Sequence, residues 1–196
     1  MKTRAGSQPD ADLSADGRVQ TVFLIGFMGA GKTSVGRALA RRMGWQFEDL
    51  DDRIEGREKS GIERLFRERG EAGFREAEHK ALRELLTEAF PSPRVVALGG
   101  GAFVQPANAA LLEAANAAIV LLDAPVAELF RRCEQESRVR PLSRNLEEFR
   151  ELYESRSRAY ARASLRIETG GKEIEAVAAE IISRLELQPG QGNSVS

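Results

Sequence analysis

The sequence predicts an α/β fold in which helices cover both faces of a mostly parallel β-sheet. Two features carry this prediction. Short apolar runs suited to buried strands recur along the chain, and segments with helical periodicity alternate with them. The 196 residues suffice for one domain with a substantial core, and 42% hydrophobic with 30% charged residues is an ordinary globular composition.

Five segments have the composition of strands. They are VFLI (22–25), WQFED (45–49), VVAL (95–98), AIVLL (118–122) and SLRIE (164–168). WQFED is the weakest of these candidates. Because helical segments alternate with them, the strands are expected to run parallel to one another.

Apolar side chains that recur at helical spacing predict the helices. In chain order the stripes are Val35, Ala38, Leu39 and Met43; Ile62, Leu65 and Phe66; Phe74, Ala81, Leu82 and Leu85; Val126, Leu129, Phe130 and Cys133; Phe149, Leu152, Tyr153 and Tyr160; and Ile174, Val177, Ala178, Ile181 and Leu185. Gly44 is predicted to end the first helix. Ser60 with Glu63, and Asn145 with Glu148, have the spacing of capping boxes that begin two others.

The two ends of the chain differ in composition from its centre. Residues 1–18 are polar and contain Gly, Pro, Ser and Asp, which predicts a disordered N-terminal arm, and residues 188–196 predict a disordered tail. Residues 19–187 are then expected to form a single domain.

Charge and cysteine content argue against several classes of function. A net charge of −1 disfavours a general nucleic-acid binder or a polybasic membrane binder. The single cysteine, Cys133, cannot form an internal disulfide or a cysteine metal cluster. The sequence also contains no apolar stretch of about 18 residues, the length that a membrane-spanning helix requires. The N-terminus lacks the apolar core of a secretory signal, so the expected compartment is the cytoplasm.

The loop GFMGAGKT follows the first predicted strand, opens a helix and has the P-loop spacing Gly26-x4-Gly31-Lys32-Thr33. Its glycines let backbone N–H groups point into one concavity, to which the helix N-terminus adds partial positive charge. Lys32 supplies a full charge for the outer phosphates, and the Thr33 hydroxyl can bind Mg²⁺. The alternative is a Gly-rich turn with an exposed lysine. A nucleoside triphosphate site is favoured, because every fixed position of the motif is present and the flanking strand and helix are those that the motif requires.

Acidic residues follow the second predicted strand, in the segment FEDLDD. If the strand continues through Asp51, alternation places Phe47, Asp49 and Asp51 on one side, at the end of a strand where α/β sheets bind ligands. One carboxylate could hold water around Mg²⁺ while the other accepts the proton of an acceptor hydroxyl. A solvated acidic turn that continues into Asp52 and Glu55 is an equal alternative.

Two arginines are candidates for binding an anion. Arg156 falls on the apolar stripe of its helix and needs a partner, which is either an internal carboxylate or an anionic substrate. Arg75 shares a helix flank with Glu71 and Glu78, at i−4 and i+3. These three residues form either a surface ion-pair ladder, which contributes little, or a guanidinium that two carboxylates aim at a ligand.

Two further segments have a composition that favours ligand binding. LGGGA (98–102) places three glycines after a buried strand, which permits close approach of the backbone to a ligand. RRCEQESRVRPLSRN (131–145) lies between two helices and is rich in arginine. It is either a solvated basic loop or a mobile lid, at about 134–145, whose Arg138 or Arg140 closes on the transferring phosphate.

Four other residues have structural interpretations. Asp123 precedes Ala-Pro at the start of a helix, so a cap or turn role is favoured over metal binding. His79 lies off the apolar stripe of its helix and is expected at the surface. Cys133 is expected in the core, and Trp45 is expected to pack beside its strand.

Together these residues resemble the shikimate kinase family over about residues 20–186. The matching motifs, in order, are GFMGAGKTSVGR, DLD (49–51), GEAGFREAE (70–78), LGGGA (98–102), RVRPL (138–142) and R-x3-Y (156–160). Many families share a P-loop, whereas the series DLD, FRxxE, GGG and RPL is far more specific. The resemblance implies a P-loop NTPase fold of three α/β/α layers, with a five-stranded parallel sheet in the order 2-3-1-4-5 and a mobile lid.

The resemblance also implies transfer of the ATP γ-phosphate, with Mg²⁺, to the 3-hydroxyl of shikimate, in the pathway to chorismate and aromatic amino acids. The implied nucleotide contacts are Gly29, Ala30, Gly31, Lys32, Thr33, Ser34, Arg132, Arg140 and Lys172, and the implied metal residues are Thr33 and Asp49. The implied shikimate contacts are Asp51, Arg75, Gly100 and Arg156, and Lys32, Asp51 and Arg140 are the implied catalytic residues. Lys172 is the nearest basic residue to a position where the family often has an arginine.

Other functions remain as alternatives at this point. Another small-molecule P-loop kinase, such as one acting on gluconate, would also take a polyhydroxy acid. A nucleotide-driven switch would hydrolyse ATP without an acceptor, and it has no need of a carboxylate clamp. Nucleoside monophosphate kinases share the architecture, but their base-reading pattern is not evident. The expected partner is the small molecule shikimate, with no nucleic acid or membrane, and the chain is expected to act as a monomer.

Overall fold

A computed structural model describes residues 19–88, 92–136 and 145–190. Five parallel strands form one sheet in the order β2-β3-β1-β4-β5. They are β1 (Thr21–Ile25), β2 (Gln46–Asp49), β3 (Arg94–Ala97), β4 (Ala118–Asp123) and β5 (Leu165–Glu168). The number, direction and order of the strands confirm the prediction, and each strand boundary lies within one residue of the predicted segment.

Helices separate the strands along the chain. They are α1 (Lys32–Met43), α2 (Leu50–Glu58), α3 (Ile62–Thr87), α4 (Pro106–Ala114), α5 (Val126–Glu136), α6 (Leu146–Tyr160) and α7 (Ile174–Arg184). Every residue of β1 and β3 is buried, so both faces of the sheet are covered, as the apolar strand runs predict. Around the sheet, α1 packs on α7, α2 on α3, and α5 on α6.

Local sequence signals set several helix ends. Gly44 adopts a left-handed conformation with φ 66° and its N–H caps α1 at the Ala40 carbonyl, as predicted. The Asn145 side chain accepts a hydrogen bond of 2.9 Å from the Glu148 N–H at the start of α6, which confirms that cap. The helix α4 was not predicted from periodicity, although Pro106 occupies its first turn, where proline is favoured.

The capping box predicted for Ser60 and Glu63 is wrong. Gly61 is the N-cap of α3 and supplies no side-chain hydrogen bond. Instead, the Glu55 carboxylate of α2 accepts the Ile62 N–H at 2.9 Å. The turn between α2 and α3 is tight enough that a carboxylate from the preceding helix satisfies the first turn, which local spacing cannot reveal.

The second strand ends earlier than the alternation argument assumed. β2 stops at Asp49, and α2 begins at Leu50, so Asp51 lies in the first helical turn and not on the strand. Asp49 is the N-cap of α2, and its Oδ1 accepts the Asp51 N–H at 3.1 Å. The two carboxylates are still brought to the end of β2, but a helix cap places them there.

Residues beyond the predicted domain boundary contact α1. Trp45 is buried, as expected, and its Nε1 donates to the Gln188 carbonyl at 3.2 Å, while the Gly190 N–H donates to the Met43 carbonyl at 2.8 Å. The predicted arm and residues 191–196 lie outside the described residues, and the division into arm, domain and tail remains a prediction. Among the described helices, none has the length and apolar character required to cross a bilayer.

Candidate active site

Three loops meet at the carboxyl ends of three neighbouring strands. The P-loop follows β1, the Asp49–Asp51 turn follows β2, and the glycines of LGGGA follow β3. Because β1 and β2 both pair with β3 in parallel, these three loops emerge at one edge of the sheet. Helices α3 and α6 add Arg75 and Arg156 to the same space, as the contacts below show.

The P-loop is a compact turn held by hydrogen bonds from the Lys32 side chain to its backbone carbonyls. Lys32 Nζ donates to the carbonyls of Gly26 at 2.9 Å and Phe27 at 3.1 Å. Gly26 has φ 145°, and a Cβ atom there would lie 2.3 Å from the Leu122 carbonyl oxygen, so no other residue fits. Burial lowers the pKa of Lys32, opposed by the nearby carboxylates of Asp51 and then Asp49. The amine at the start of α1 therefore lies in a site where an added anion would be strongly bound.

Thr33 and Asp49 contact each other directly. The Thr33 Oγ1 donates to Asp49 Oδ2 at 2.9 Å, while the other carboxylate oxygen caps α2. A hydroxyl and a carboxylate beside the P-loop are oxygen donors of the kind that Mg²⁺ prefers. These two residues, predicted from separate motifs, are thus brought together as a candidate metal site.

Asp51 faces the glycine-rich turn after β3. A Cβ atom on Gly99 would lie 2.9 Å from Asp51 Oδ1, so a larger residue there would displace the carboxylate. Burial raises the pKa of Asp51 to about 6, with the Asp49 charge adding to the rise and Lys32 opposing it. Among the described residues, no side chain forms an ion pair or hydrogen bond with this carboxylate. A carboxylate with these properties is suited to accept a proton near neutral pH.

Arg75 is held by two carboxylates, as one of the sequence hypotheses proposed. Its Nη1 contacts both oxygens of Glu78 at 3.0 Å, and Nη2 lies 3.5 Å from Glu71 Oε1. Glu78 is 1% exposed, and burial raises its pKa against the opposing charge of Arg75. The guanidinium also lies over the Phe74 ring, with Cζ 5.1 Å from the centroid. Glu78 is buried and Arg75 is 19% exposed, which argues against a ladder of three surface residues, although Glu71 itself is 70% exposed.

Arg156 has no such carboxylate partner among the described residues. Its Cζ lies 5.3 Å from the centroid of the Phe27 ring in the P-loop. It also interacts with the hydroxyl of Tyr160, which in turn donates to the Gly100 carbonyl. The internal acid considered in the sequence analysis is therefore absent from the described structure, and the guanidinium faces the space between α6 and the P-loop.

Three consecutive glycines contact three different charged side chains. A Cβ atom on Gly101 would lie 2.6 Å from Arg75 Nη2, and one on Gly100 would lie 3.5 Å from Arg156 Nη1, whereas Gly99 contacts Asp51. The predicted close approach of backbone is therefore made to the candidate substrate residues themselves. This turn therefore lies beside both guanidinium groups and the carboxylate.

Arg132 and Lys172 lie near the turn after β5. Arg132 donates from Nη1 to Thr169 Oγ1 at 3.1 Å and to the Gly29 carbonyl at 3.4 Å, and from Nη2 to Glu128 at 2.6 Å. It thus connects the P-loop with the end of β5. Lys172 instead pairs with Glu180 of α7 at 2.7 Å. Arg138 and Arg140 of the predicted lid lie outside the described residues.

Asp123 has a structural role, in agreement with the sequence analysis. Its Oδ1 accepts the Ala124 N–H at 2.9 Å and the Tyr153 hydroxyl at 3.0 Å, and its Oδ2 lies 2.9 Å from Arg166 Nη2. The contact with Tyr153 attaches α6, which carries Arg156, to the end of β4. Sequence spacing gave no signal for this attachment, because the partners are far apart along the chain.

His79 is more constrained than a surface residue. Its Nδ1 lies 2.8 Å from Asn108 Oδ1, and Asn108 is buried. Asn108 was not predicted as a site residue, because an asparagine in an apolar helix belongs to no motif. Cys133 is buried in the core, as predicted.

Comparisons with known proteins agree with this geometry. A family model described as "Shikimate kinase" matches residues 28–186. The chain is 45% identical over 170 residues to a shikimate kinase of Geobacter sulfurreducens, covering 85% of this chain and 90% of that protein. It is 42% identical over 177 residues to one of Geobacter metallireducens, covering 89% and 96% respectively.

A solved structure gives the same result. The fold is similar to that of a shikimate kinase from Acinetobacter baumannii in complex with shikimate, with a TM-score of 0.77 and 32% sequence identity. The alignment covers 90% of this chain and 96% of that one.

Proposed function

Because the chain belongs to the shikimate kinase family, we propose that it transfers the γ-phosphate of ATP to the 3-hydroxyl of shikimate. The observation that carries the proposal is that Arg156, which has no carboxylate partner among the described residues, lies beside the oriented Arg75 on the acceptor side of the P-loop. Bidentate guanidinium groups match the geometry of a carboxylate. The carboxylate of a small hydroxy acid would supply the negative partner that Arg156 lacks among the described residues.

The nucleotide side binds and neutralises phosphate. Residues Gly29 to Ser34 supply backbone N–H groups at the start of α1, and Lys32 adds a positive charge. Thr33 and Asp49 would hold Mg²⁺, which supplies charge neutralisation on the phosphate oxygens when it is bound. Their direct contact at 2.9 Å and their oxygen-only chemistry fit this cation.

The acceptor side binds and orients the acid. Arg75 and Arg156 grip its carboxylate, the backbone at Gly100 lies against the ring, and Asp51 binds the hydroxyl that reacts. With a pKa raised to about 6, Asp51 is ionised at neutral pH and accepts the hydroxyl proton during transfer. Catalysis then comes mainly from positioning and from charge neutralisation, because phosphoryl transfer needs little covalent help from the protein.

The remaining nucleotide contacts are proposed on less direct grounds. The edges of the Arg132 guanidinium are occupied by Gly29, Thr169 and Glu128, which leaves its flat face for stacking on the adenine. Arg140 is proposed to close on the phosphates from the lid. Contact of Lys172 with the adenine remains a prediction, since the ion pair with Glu180 gives it no support. Monomeric state and cytoplasmic location also remain predictions.

The deciding experiment is a coupled assay of ADP release with ATP and Mg²⁺, run without acceptor, with shikimate and with gluconate. We expect ADP release only when shikimate is present. Equal rates in all three reactions would indicate an ATPase without an acceptor, and release that depends on gluconate would indicate the rival small-molecule kinase. Either result would overturn the proposal.

A further inference from the structure

Asn108 is a buried polar residue that the mechanism above does not use. It lies in the first turn of α4 and is 1% exposed. Buried amides are costly unless their donors and acceptors are satisfied, so the partners of this side chain indicate why an apolar residue is not found there.

Every polar atom of the Asn108 side chain has a partner. The Nδ2 amide donates to the Ala102 carbonyl at 3.1 Å and to Glu78 Oε2 at 3.4 Å. On the other side, Oδ1 lies 2.8 Å from His79 Nδ1, whose N–H donates to it. The opposite orientation of the amide would set its oxygen against two acceptors, so the chemistry of the neighbours fixes which way it points.

Two of these partners belong to the two structures that contact Arg75, the glycine turn and Glu78. Ala102 ends the glycine turn, in which Gly101 packs against the Arg75 guanidinium. Glu78 holds that same guanidinium by both of its oxygens at 3.0 Å. One amide therefore connects the turn that contacts Arg75 with the carboxylate that orients it.

We propose that Asn108 is a positioning residue for the Arg75 side of the carboxylate clamp, and that His79 fixes the orientation of its amide. This inference rests on the proposed function, because it assumes that Arg75 binds the acid. Asn108 contacts no substrate itself. It acts by holding Glu78 and the glycine turn in register, so its loss displaces the guanidinium and weakens binding of the acid while the nucleotide site is unchanged.

The test compares steady-state kinetics of the full chain for two variants and two controls. Asn108→Asp keeps the shape but sets a carboxylate against Glu78 and the Ala102 carbonyl, and we expect the KM for shikimate to rise about 10- to 100-fold. His79→Leu removes the donor that orients the amide, and we expect a smaller rise of about 3- to 10-fold. In both variants the KM for ATP is expected to stay within about twofold of its original value.

The controls separate positioning from general destabilisation. Asn116→Asp makes the same chemical change at an exposed position just after α4, and Leu112→Val weakens the buried core of that helix. Melting temperatures are recorded for all four variants. The two controls are expected to retain the original ratio of the two KM values, even where Leu112→Val lowers the melting temperature as much as Asn108→Asp.

The outcomes distinguish this inference from the proposed function. If the unaltered chain shows no ADP release that depends on shikimate, the proposed function fails. If it is active, but the KM for shikimate is unchanged in Asn108→Asp, or both KM values rise in parallel, the positioning role is wrong. If Asn108→Asp does not fold, an unchanged KM for shikimate in His79→Leu overturns the inference, and a selective rise supports it.

Discussion

Arg75 and Arg156 face the same space but are held in different ways. Arg75 forms an internal ion pair with the buried Glu78, whereas Arg156 is supported by the Phe27 ring and by Tyr160 without any carboxylate among the described residues. Asp51, opposite them, likewise lacks an ion-pair partner there. A buried pair that loses one member is destabilised, whereas an unpaired charge adds nothing to stability until a ligand arrives.

This difference in pairing distinguishes a side chain that is already neutralised within the protein from side chains whose charge a ligand would neutralise. Arg75 is oriented in advance by Glu78, so under the proposed function it serves both the fold and the binding of the acid. Arg156 and Asp51 are proposed to serve binding and chemistry, at some loss of stability. Substitutions should therefore divide into two groups by their effect on unfolding.

The largest effect on stability is expected from Arg75→Ala. The substitution leaves Glu78 buried without its partner, which lowers the free energy of unfolding by about 3–5 kcal/mol. Urea titration measures the change, and Arg64→Ala is the matched control, because Arg64 pairs with Glu68 at the exposed surface of α3, in the segment before the non-helical Gly70. We expect less than about 1 kcal/mol for the control. Equal losses in the two variants would contradict the distinction.

The second effect is expected from Arg156→Ala and concerns binding. Loss of one half of the clamp should lower kcat/KM for shikimate by about 2–4 kcal/mol, or roughly 30- to 1000-fold. The free energy of unfolding should fall by no more than about 2 kcal/mol, since the contact with the Phe27 ring is lost but no ion pair among the described residues is broken. Arg158→Ala, at an exposed position in the same helix, is the control. A similar fall in kcat/KM for ATP would argue against a role on the acceptor side.

The third effect is a gain of stability in Asp51→Asn. The pKa of Asp51 is about 6 in the folded chain against an ordinary 3.8. Between these two pH values the folded state therefore binds more protons than the unfolded state. Stability contributed by this group is present below pH 3.8 and is lost as the pH rises through 6. Removing the carboxylate should therefore raise the free energy of unfolding at pH 7 by about 1–3 kcal/mol.

The same variant should lose turnover while its affinity for ATP is nearly unchanged. Removal of a general base typically lowers kcat by about 10²- to 10⁴-fold. Asp52→Asn, an exposed neighbour in α2, serves as the control for both measurements. Unchanged turnover in Asp51→Asn would remove the proposed role as base, and a loss of stability at pH 7 would contradict the assigned environment.

The smallest effect is expected from Phe27→Leu in the P-loop. The change keeps an apolar side chain but removes the ring beneath Arg156, an interaction of about 0.5–2 kcal/mol. We expect the KM for shikimate to rise by about 2- to 20-fold, with a smaller change for ATP. If only the KM for ATP changes, Phe27 serves the nucleotide alone and does not support the clamp.

Sequence predicted the parts of the site that depend on local chemistry. The P-loop could be recognised because Gly26, Gly31 and Lys32 act through backbone geometry within a few residues of one another. Strand order came from the family resemblance. The position of Asp51 was predicted for the wrong reason, since Asp49 caps a helix where a continuing strand was expected.

Long-range contacts were beyond the reach of sequence patterns. Spacing placed Arg75 beside Glu78 but could not decide whether this pair is buried, because burial depends on α4 and on the glycine turn. The roles of Asn108 and His79 arise from contact between helices separated by β3 in the chain. The prediction of a capping box at Ser60 failed for the same reason, since the Ile62 N–H donates to Glu55 of another helix.

The central claim is that Arg75 and Arg156 bind the carboxylate of the acceptor. It is tested most directly by comparing kcat/KM for shikimate and for its methyl ester, in the unaltered chain and in Arg156→Ala. The account predicts a preference for the acid of about 30- to 1000-fold in the unaltered chain and a preference of less than about tenfold in the variant. An equal preference in both proteins would show that Arg156 does not bind the carboxylate.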